Sequence, residues 1–452
     1  MARKSQPNKP GKPRNKREGR PRGKHSKGGS DSKNTPPGDT FEIKMNAMAN
    51  GGFALGTHQH RTAFVPYTIP GETVRVRVVE AQDKIDFAEG VELIEASADR
   101  VYPQCPHFGP GRCWGCQWQH IDYQAQLLLK QDVLADQLFR IGKFDDLIVE
   151  RVMKPLIPSP EQWGYNFNMT MVCKNGGFGF YQIDGRSIEI VDFCHVLHPD
   201  LQALYEMLDI DFADLKHLSL WRGSDGETMI ILEMSSEDAP ELTADFPTSV
   251  NVILPDNEPV SLVGDSAIFY EISGRLFRMT AGGWFRANIA QIANLVSEVL
   301  TMLELSENDA VLDLYAGVGI FSAFMAKQAG LVTLVESYPP MATDAEENLK
   351  EFENVDIIEG SVEDVLQALI ESGDIYEAAV LDPPSSGLSK DVMESLAELK
   401  IPKLVYISSD PSKFSKGLRE LAKHGYQLQK IQPFDFAPQT YYVDAVALLV
   451  KA

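Results

Sequence analysis

Cysteine is scarce in this chain: five among 452 residues. That is too few for a disulfide scaffold, and their clustering suits metal ligation in a reducing compartment better. Long hydrophobic runs are missing as well. No stretch of 18 apolar residues occurs and the N-terminus carries no apolar signal core, so neither a membrane span nor secretion is expected and the cytoplasm is the expected location. Net positive charge is confined to one end of the chain. Met1 to Pro37 holds 12 Lys/Arg against two acidic residues, net +10, and the remainder holds 30 against 62, net −32. An acidic body repels RNA, so RNA binding would need this tail or a local basic patch. Nothing in the pattern identifies a protein partner.

What is present is ample for globular folding: 44% hydrophobic residues and a length that suggests two to four domains. The tail, residues 1–38, is a Lys/Arg/Gly/Pro/Ser tract that cannot bury enough apolar surface to fold and is expected to be disordered. Over 39–97 short alternating segments are punctuated by glycine and proline. Thr73-Val74-Arg75-Val76-Arg77-Val78 has the period of two of a half-buried strand, and Pro70-Gly71 supplies the turn before it. A small β-barrel is expected.

A Gly/Pro-rich loop then carries Cys105, Cys113 and Cys116, and Cys194 follows the strand-like run Ser187 to Asp192. Four thiolates satisfy a 4Fe-4S cube. They suit tetrahedral structural zinc equally, with His107, His120, His195 or His198 as substitutes. Cys173 reads as a packed strand cysteine. Leu127, Leu128, Val133, Leu134 and Leu138 recur at helical spacing within Tyr123–Arg140, which predicts an amphipathic helix. Residues 201–261 give no chemical signal.

The clearest motif is Ala310-Val311-Leu312-Asp313-Leu314-Tyr315-Ala316-Gly317-Val318-Gly319-Ile320-Phe321-Ser322, a hydrophobic strand entering a glycine turn and a helix. It is expected to open a doubly wound α/β sheet, with Gly317 and Gly319 letting backbone approach a nucleotide at the switch point. A dinucleotide site would prefer a third glycine near Ser322, and none is there. Leu331 to Val335 gives a second strand ending in Glu336, placed to accept from ribose hydroxyls. Ala379-Val380-Leu381-Asp382-Pro383-Pro384 gives a later strand whose Asp382 should border cofactor and substrate.

These motifs together resemble class I S-adenosylmethionine methyltransferases. With Gly282-Gly283-Trp284-Phe285-Arg286-Ala287-Asn288, Tyr406-Ile407-Ser408-Ser409-Asp410-Pro411 and Pro438-Gln439-Thr440-Tyr441-Tyr442-Val443-Asp444, the chain resembles the RNA (uracil-5-)-methyltransferase family in its TRAM-containing 23S rRNA form. The resemblance implies a multidomain protein: a TRAM-like OB-type RNA-binding barrel over 39–97, a central α+β domain over 98–280 with the four-cysteine cluster, and a Rossmann-like methyltransferase domain over 281–452. The segment of about 119–150 is expected to pack on the catalytic domain. The resemblance implies S-adenosyl-L-methionine as cofactor, held by Arg286, Asp313, Tyr315, Gly317, Gly319, Glu336 and Asp382. It implies a 4Fe-4S cluster on Cys105, Cys113, Cys116 and Cys194, and RNA as substrate, rRNA favoured over tRNA.

Departures gather where the base would be touched. Ser409 stands where the family has a nucleophilic cysteine, Arg286 where it has glutamine, Ser385 where it has arginine, and Asp444 where it has the glutamate that removes the C5 proton, one methylene (about 1.5 Å) shorter. Asn166 and Asn168 replace an arginine and a lysine. A serine hydroxyl is almost never ionised near neutrality, whereas a thiolate adds readily to uracil C6. Three readings follow: 5-methyluridine formation with Ser409 and Asp444 as catalytic residues, a non-catalytic RNA binder, or methylation of another atom that needs no C6 nucleophile.

Overall fold

A computed structural model of the chain describes residues 36–210, 212–237, 240, 242 and 247–452. Of the basic tail, residues 1–35 lie outside them. The expected barrel is built from β1 (Thr40–Met48), β2 (Ala54–His58), β3 (Arg61–Val65), β4 (Thr73–Gln82) and β5 (Ile85–Glu95) and closes in the order β1-β2-β3-β5-β4. The alternation read from Thr73 to Val78 is real: Val74, Val76 and Val78 are buried, because successive strand side chains face opposite sides.

Helices α1 (Tyr123–Arg140) and α2 (Asp146–Val152) follow. Asp122 caps α1 by accepting from the Gln124 N–H, which satisfies one of the amides a helix start leaves free. Leu134 and Leu138 of α1 and Val149 and Val152 of α2 share a core with Leu404, Leu418 and Leu449, far later in the chain.

The middle of the chain forms a seven-stranded sheet in the order β12-β11-β10-β9-β6-β7-β8. Its members are β6 (Asn168–Lys174), β7 (Gly177–Tyr181), β8 (Ile188–Ile190), β9 (Leu215–Arg222), β10 (Thr228–Met234), β11 (Ser249–Ile253) and β12 (Pro259–Val263), with α3 (Pro199–Glu206) between β8 and β9. The stretch that carried no chemical signal therefore supplies most of this sheet. A hairpin of β13 (Ala267–Ile272) and β14 (Arg275–Thr280) leads to α4 (Ile289–Leu303).

The C-terminal part is a second seven-stranded sheet, ordered β17-β16-β15-β18-β19-β21-β20. In chain order it runs β15 (Ala310–Leu314), α5 (Ile320–Met325), β16 (Leu331–Glu336), α6 (Pro339–Leu349), β17 (Val355–Glu359), α7 (Val362–Ser372), β18 (Ala378–Leu381), α8 (Lys390–Glu398), β19 (Lys403–Ser408), α9 (Pro411–Lys423), β20 (Tyr426–Phe434) and β21 (Asp444–Lys451). β15 through β19 pair in parallel and β21 enters antiparallel between β19 and β20. Strand order reverses at β15, so a crevice opens beyond the carboxyl ends of β15, β16 and β18, where open α/β sheets place ligands. Among the described residues no helix is long and apolar enough to cross a membrane.

Candidate active site

The turn after β15 depends on backbone that most residues avoid. Gly317 (φ +59°) and Gly319 (φ +82°) are left-handed, and a Cβ added to them would sit 2.9 Å from Met341 Cε and 2.7 Å from Leu349 Cδ1. Tyr315 adopts φ 62° without that freedom, a strain of about 1–3 kcal/mol that recurs at functional sites. The turn is fastened from β16. Glu336 Oε2 accepts from the Gly317 N–H (2.9 Å), and Oε1 accepts from the Ser337 and Tyr338 N–H groups (both 2.7 Å). Its carboxylate retains lone pairs for further donors.

These elements enclose a cavity of about 550 Å³ lined by Arg286, Tyr315, Gly317, Glu336, Asp382 and Ser409, among others. Six sequence-predicted site residues thus meet in one space of the size small-molecule sites have. Gly319 shapes the turn without lining the cavity. Asp313 is fully buried and faces the helix instead: its Oδ2 accepts from Ser322 N–H (2.9 Å) and Ser322 Oγ–H (2.6 Å), while Oδ1 has no partner. Burial pushes the Asp313 carboxyl up to about 7 against the pull of Ser322. Asp313, expected to hold the cofactor, makes a structural contact here and does not line the cavity, whose wall begins at Tyr315, one residue past the end of its strand. Ser337, in the loop after β16, and Met341, Ile292 and Leu295 also line the cavity and were missed; a lone loop serine and apolar side chains on helices carry no local chemical mark.

Arg286 is the hub of the polar wall. Its two terminal nitrogens donate to the two Asp382 oxygens at 2.6 and 2.8 Å, a bidentate fork, and its Nε donates to Asp444 Oδ1 at 3.5 Å. The guanidinium also lies 5.3 Å from the Trp284 ring and 5.5 Å from that of Phe436. Asp444 is buried behind Arg286 and does not itself line the cavity. Burial pushes its carboxyl up to about 6, opposed by Arg286 and reinforced by Asp382.

Ser409 is exposed at the end of β19. Among the described residues its hydroxyl makes no hydrogen bond. The neighbouring carboxylate is committed elsewhere: Asp410 Oδ1 accepts from Ser412 and Lys413 N–H (2.8 and 3.0 Å) as the cap of α9. Ser385 is exposed on the same rim.

The loop Asp435–Val443, which delivers Asp444, is clamped from far upstream. Lys130 Nζ donates to Asp435 Oδ1 (2.7 Å) and Ala437 O (2.9 Å). Gln126 and Gln439 exchange hydrogen bonds at 3.0 and 2.9 Å. Tyr165 O–H donates to Pro438 O at 2.9 Å. Asn288 donates to Ser159 Oγ and Phe436 O (2.8 and 3.1 Å). Asn288, Pro438 and Gln439 fall within motifs read from the sequence, whereas Lys130, Gln126 and Ser159 do not, since only folding brings them to this loop.

Cys105, Cys113, Cys116 and Cys194 line one cavity of about 320 Å³ beside Ala437, Thr440 and Tyr442 of that loop. No cysteine forms a disulfide. Burial pushes the Cys113 thiol up to about 12 and that of Cys194 to about 11, and the neighbouring thiols add to the shift. The four ring a space rather than converge on a point: among the described residues no group of three or more His, Cys, Asp or Glu is placed to hold a metal ion. The expectation of a 4Fe-4S or zinc centre on these cysteines is not met among the described residues. Cys173 is partly buried against the core of the middle sheet.

On the barrel every arginine is held by carboxylates: Arg61 by Asp86, Arg75 by Glu42 and Glu92, and Arg77 by Glu89. The three pairs of Arg75 and Arg77 are exposed and weak.

Comparison with known proteins agrees with this geometry. The family model described as tRNA (uracil-5-)-methyltransferase matches residues 269–452. An uncharacterized RNA methyltransferase of Streptomyces avermitilis is 31% identical over 431 residues, covering 92% of this chain and 99% of its own. A second, from Halalkalibacterium halodurans, is 30% identical over 450 residues, covering 91% and 97%. The crystal structure of Pyrococcus abyssi tRNA (uracil-54, C5)-methyltransferase with S-adenosyl-L-homocysteine superposes with a TM-score of 0.67 at 22% identity, covering 90% of this chain and all of that one.

Proposed function

The chain belongs to the RNA (uracil-5-)-methyltransferase family, and from that premise we propose that it methylates RNA bases in the cytoplasm using S-adenosyl-L-methionine, nominally at uridine C5. The observation that carries this reading is the single cavity joining the glycine turn and Glu336 to Asp382, Arg286 and Ser409. Gly317, Tyr315 and Glu336 would hold the cofactor, whose sulfonium supplies an electrophilic methyl group. A hydrogen-bond-accepting carboxylate at the end of the second strand and a turn with no room for a Cβ fit such a nucleoside.

In the C5 reaction Ser409 gives its hydroxyl proton to solvent as Oγ adds to uracil C6, and the C5–C6 electron pair becomes an enolate with C5 nucleophilic. C5 then takes the methyl group, which releases S-adenosyl-L-homocysteine; Asp444 takes the C5 proton, the double bond re-forms as the C6–O bond breaks, and Ser409 recovers a proton from solvent. Asp444 serves only when ionised, and Arg286 favours that state. Because Arg286 stands in front of Asp444, the guanidinium must turn aside or a water molecule must carry the proton past it to Asp444.

A second reading rests on one observation. Among the described residues no base is hydrogen-bonded to Ser409, and Asp410 Oδ1 is engaged as a helix cap, so no described side chain is in place to take the hydroxyl proton. Methylation of an atom already nucleophilic needs no such step.

The barrel and four-cysteine cavity favour ribosomal RNA as substrate, and the family model's name points to tRNA. Four thiols around a cavity suit a 4Fe-4S cluster, whose several irons spread their ligands, better than one zinc ion. The test is mass spectrometry of nucleosides after incubating anaerobically purified protein, and its Ser409→Ala variant, with labelled S-adenosylmethionine and unmodified rRNA or tRNA. Labelled 5-methyluridine that disappears in Ser409→Ala supports the first reading. A different labelled nucleoside, unaffected by Ser409→Ala, supports the second. Absence of label from both RNAs overturns both.

A further inference from the structure

A second cleft, of about 570 Å³, adjoins the catalytic cavity and shares Trp284 and Phe285 with it. Its floor is one face of the middle sheet. Asn168 and Thr170 on β6, Ser219 and Trp221 on β9, and Ile231 and Glu233 on β10 line it at every second position, as strand periodicity requires. Register sets Asn168 opposite Trp221, and Thr170 opposite Ser219, which is in turn opposite Ile231. The walls are Trp284, Tyr338 and Asn257.

Three features define what the cleft can take. No lysine or arginine lines it. Its one charged residue, Glu233, is already engaged by His217 at 2.8 Å and Lys216 at 3.9 Å. A phosphate would find no counter-charge there. The second feature is Trp284, 64% exposed at the boundary of the two cavities, a large apolar ring in water beside a site of nucleic-acid chemistry. The third is a set of neutral donors and acceptors. Asn257 is exposed and its side chain makes no hydrogen bond among the described residues, Asn168 Nδ2 donates a long 3.3 Å bond to Phe285 O and its amide also faces the Tyr270 hydroxyl, and the Thr170 and Ser219 hydroxyls bond one another at 2.7 Å. Tyr338 is held in place by its own O–H donated to Asn257 O at 3.1 Å.

The guanidinium against Trp284, that of Arg286 at 5.3 Å, lines only the catalytic cavity and is paired there with Asp382, so within the cleft an aromatic platform with neutral amides has the chemistry of a base reader rather than a backbone grip, since stacking tolerates any base and amides match base edges. Resting on the reading of the adjoining cavity as the site of RNA methylation, we propose that this cleft receives one unstacked nucleobase neighbouring the methylated one, stacked on Trp284 and read at its edge by Asn168 and Asn257.

The test uses the full chain with saturating S-adenosylhomocysteine, so that it reports binding without chemistry. The probes are fluorescein-labelled nine-nucleotide RNAs with a central uridine and either A, C, G, U or an abasic residue at each flanking position. An abasic residue at one flanking position should weaken binding to the wild-type chain about tenfold or more, and Trp284→Ala should bind intact and abasic probes alike. Trp284→Phe, which keeps a ring, should restore most of the difference. Asn257→Ala should flatten the preference among A, C, G and U at that position. The salt dependence of affinity should be unchanged in all three variants, because no phosphate contact is lost. Equal sensitivity to abasic probes in wild type and Trp284→Ala, a reduced salt slope in the variants, or no binding of these RNAs at all would overturn the proposal. Failure of methylation alone would overturn the reading of the adjoining cavity and leave this binding result standing.

Discussion

Lys130 Nζ donates to Asp435 Oδ1 at 2.7 Å with both side chains fully buried, and so joins the first helix after the barrel to the loop that carries Asp444 into the site. A buried pair of this kind owes its importance to what its breakage leaves behind, an uncompensated charge.

Lys130→Met should destabilise the protein by about 3–5 kcal/mol, read as a lower urea midpoint for the C-terminal core. The double variant Lys130→Met/Asp435→Asn should recover much of that loss, because no charge is then stranded. Equal destabilisation by single and double variants would mean that the packed methylenes, not the charges, set the stability.

The Asp444 carboxyl, pushed by burial up to about 6, acts as a base only when ionised. Methyl transfer at uridine C5 should therefore be fully present above that value and fall as pH drops through about 6. Arg286 opposes the shift, so Arg286→Gln should move this acid limb to higher pH. Single-turnover rates between pH 5 and 9 read both effects. A limb that stays near 6 in Asp444→Asn would assign it to another group.

Ser409→Cys should raise the rate of 5-methyluridine formation by an order of magnitude or more at pH 8, because a thiol near its pKa is partly ionised where a hydroxyl is not. Fluorinated uridine in the probe RNA would then trap a covalent adduct. No gain in rate and no adduct would favour the reading that needs no C6 nucleophile.

Asp313 is the reverse of an ordinary surface carboxylate. Its pKa is raised by burial to about 7, so the folded state holds the proton more tightly than the unfolded one, and stability falls as pH rises from about 4 to 7. Asp313→Asn keeps an acceptor for Ser322 and removes the titration. Its melting temperature should depend less on pH across that window than the wild type's. An unchanged profile would show that Asp313 is ionised throughout.

Deleting residues 1–35 removes 12 of the 42 Lys/Arg residues from a chain whose remainder is acidic. RNA affinity should drop, and the slope of log affinity against log salt should become shallower by several units if the segment meets phosphates. An unchanged slope would place the phosphate contacts on the described residues.

The sequence by itself determined much that depends on local chemistry. Period-two alternation at Val74, Val76 and Val78 gave the barrel strand, and helical spacing gave α1 between Tyr123 and Arg140, its observed limits. The glycine turn at Gly317 and Gly319 and the strand-end Glu336 and Asp382 marked one cavity wall, because backbone freedom and strand-end carboxylates are readable one residue at a time. Tertiary structure decided the rest. Arg286 looked like a cofactor contact and became the bridge between Asp382 and Asp444, residues separated from it by 96 and 158 positions. Asp313 turned inward to Ser322. Lys130 and Gln126 had no local signal, since a polar side chain on a helix face reads as solvated until another segment buries it. Pairings across hundreds of residues are set by how sheets and helices close on one another, and local propensity carries no record of that closure.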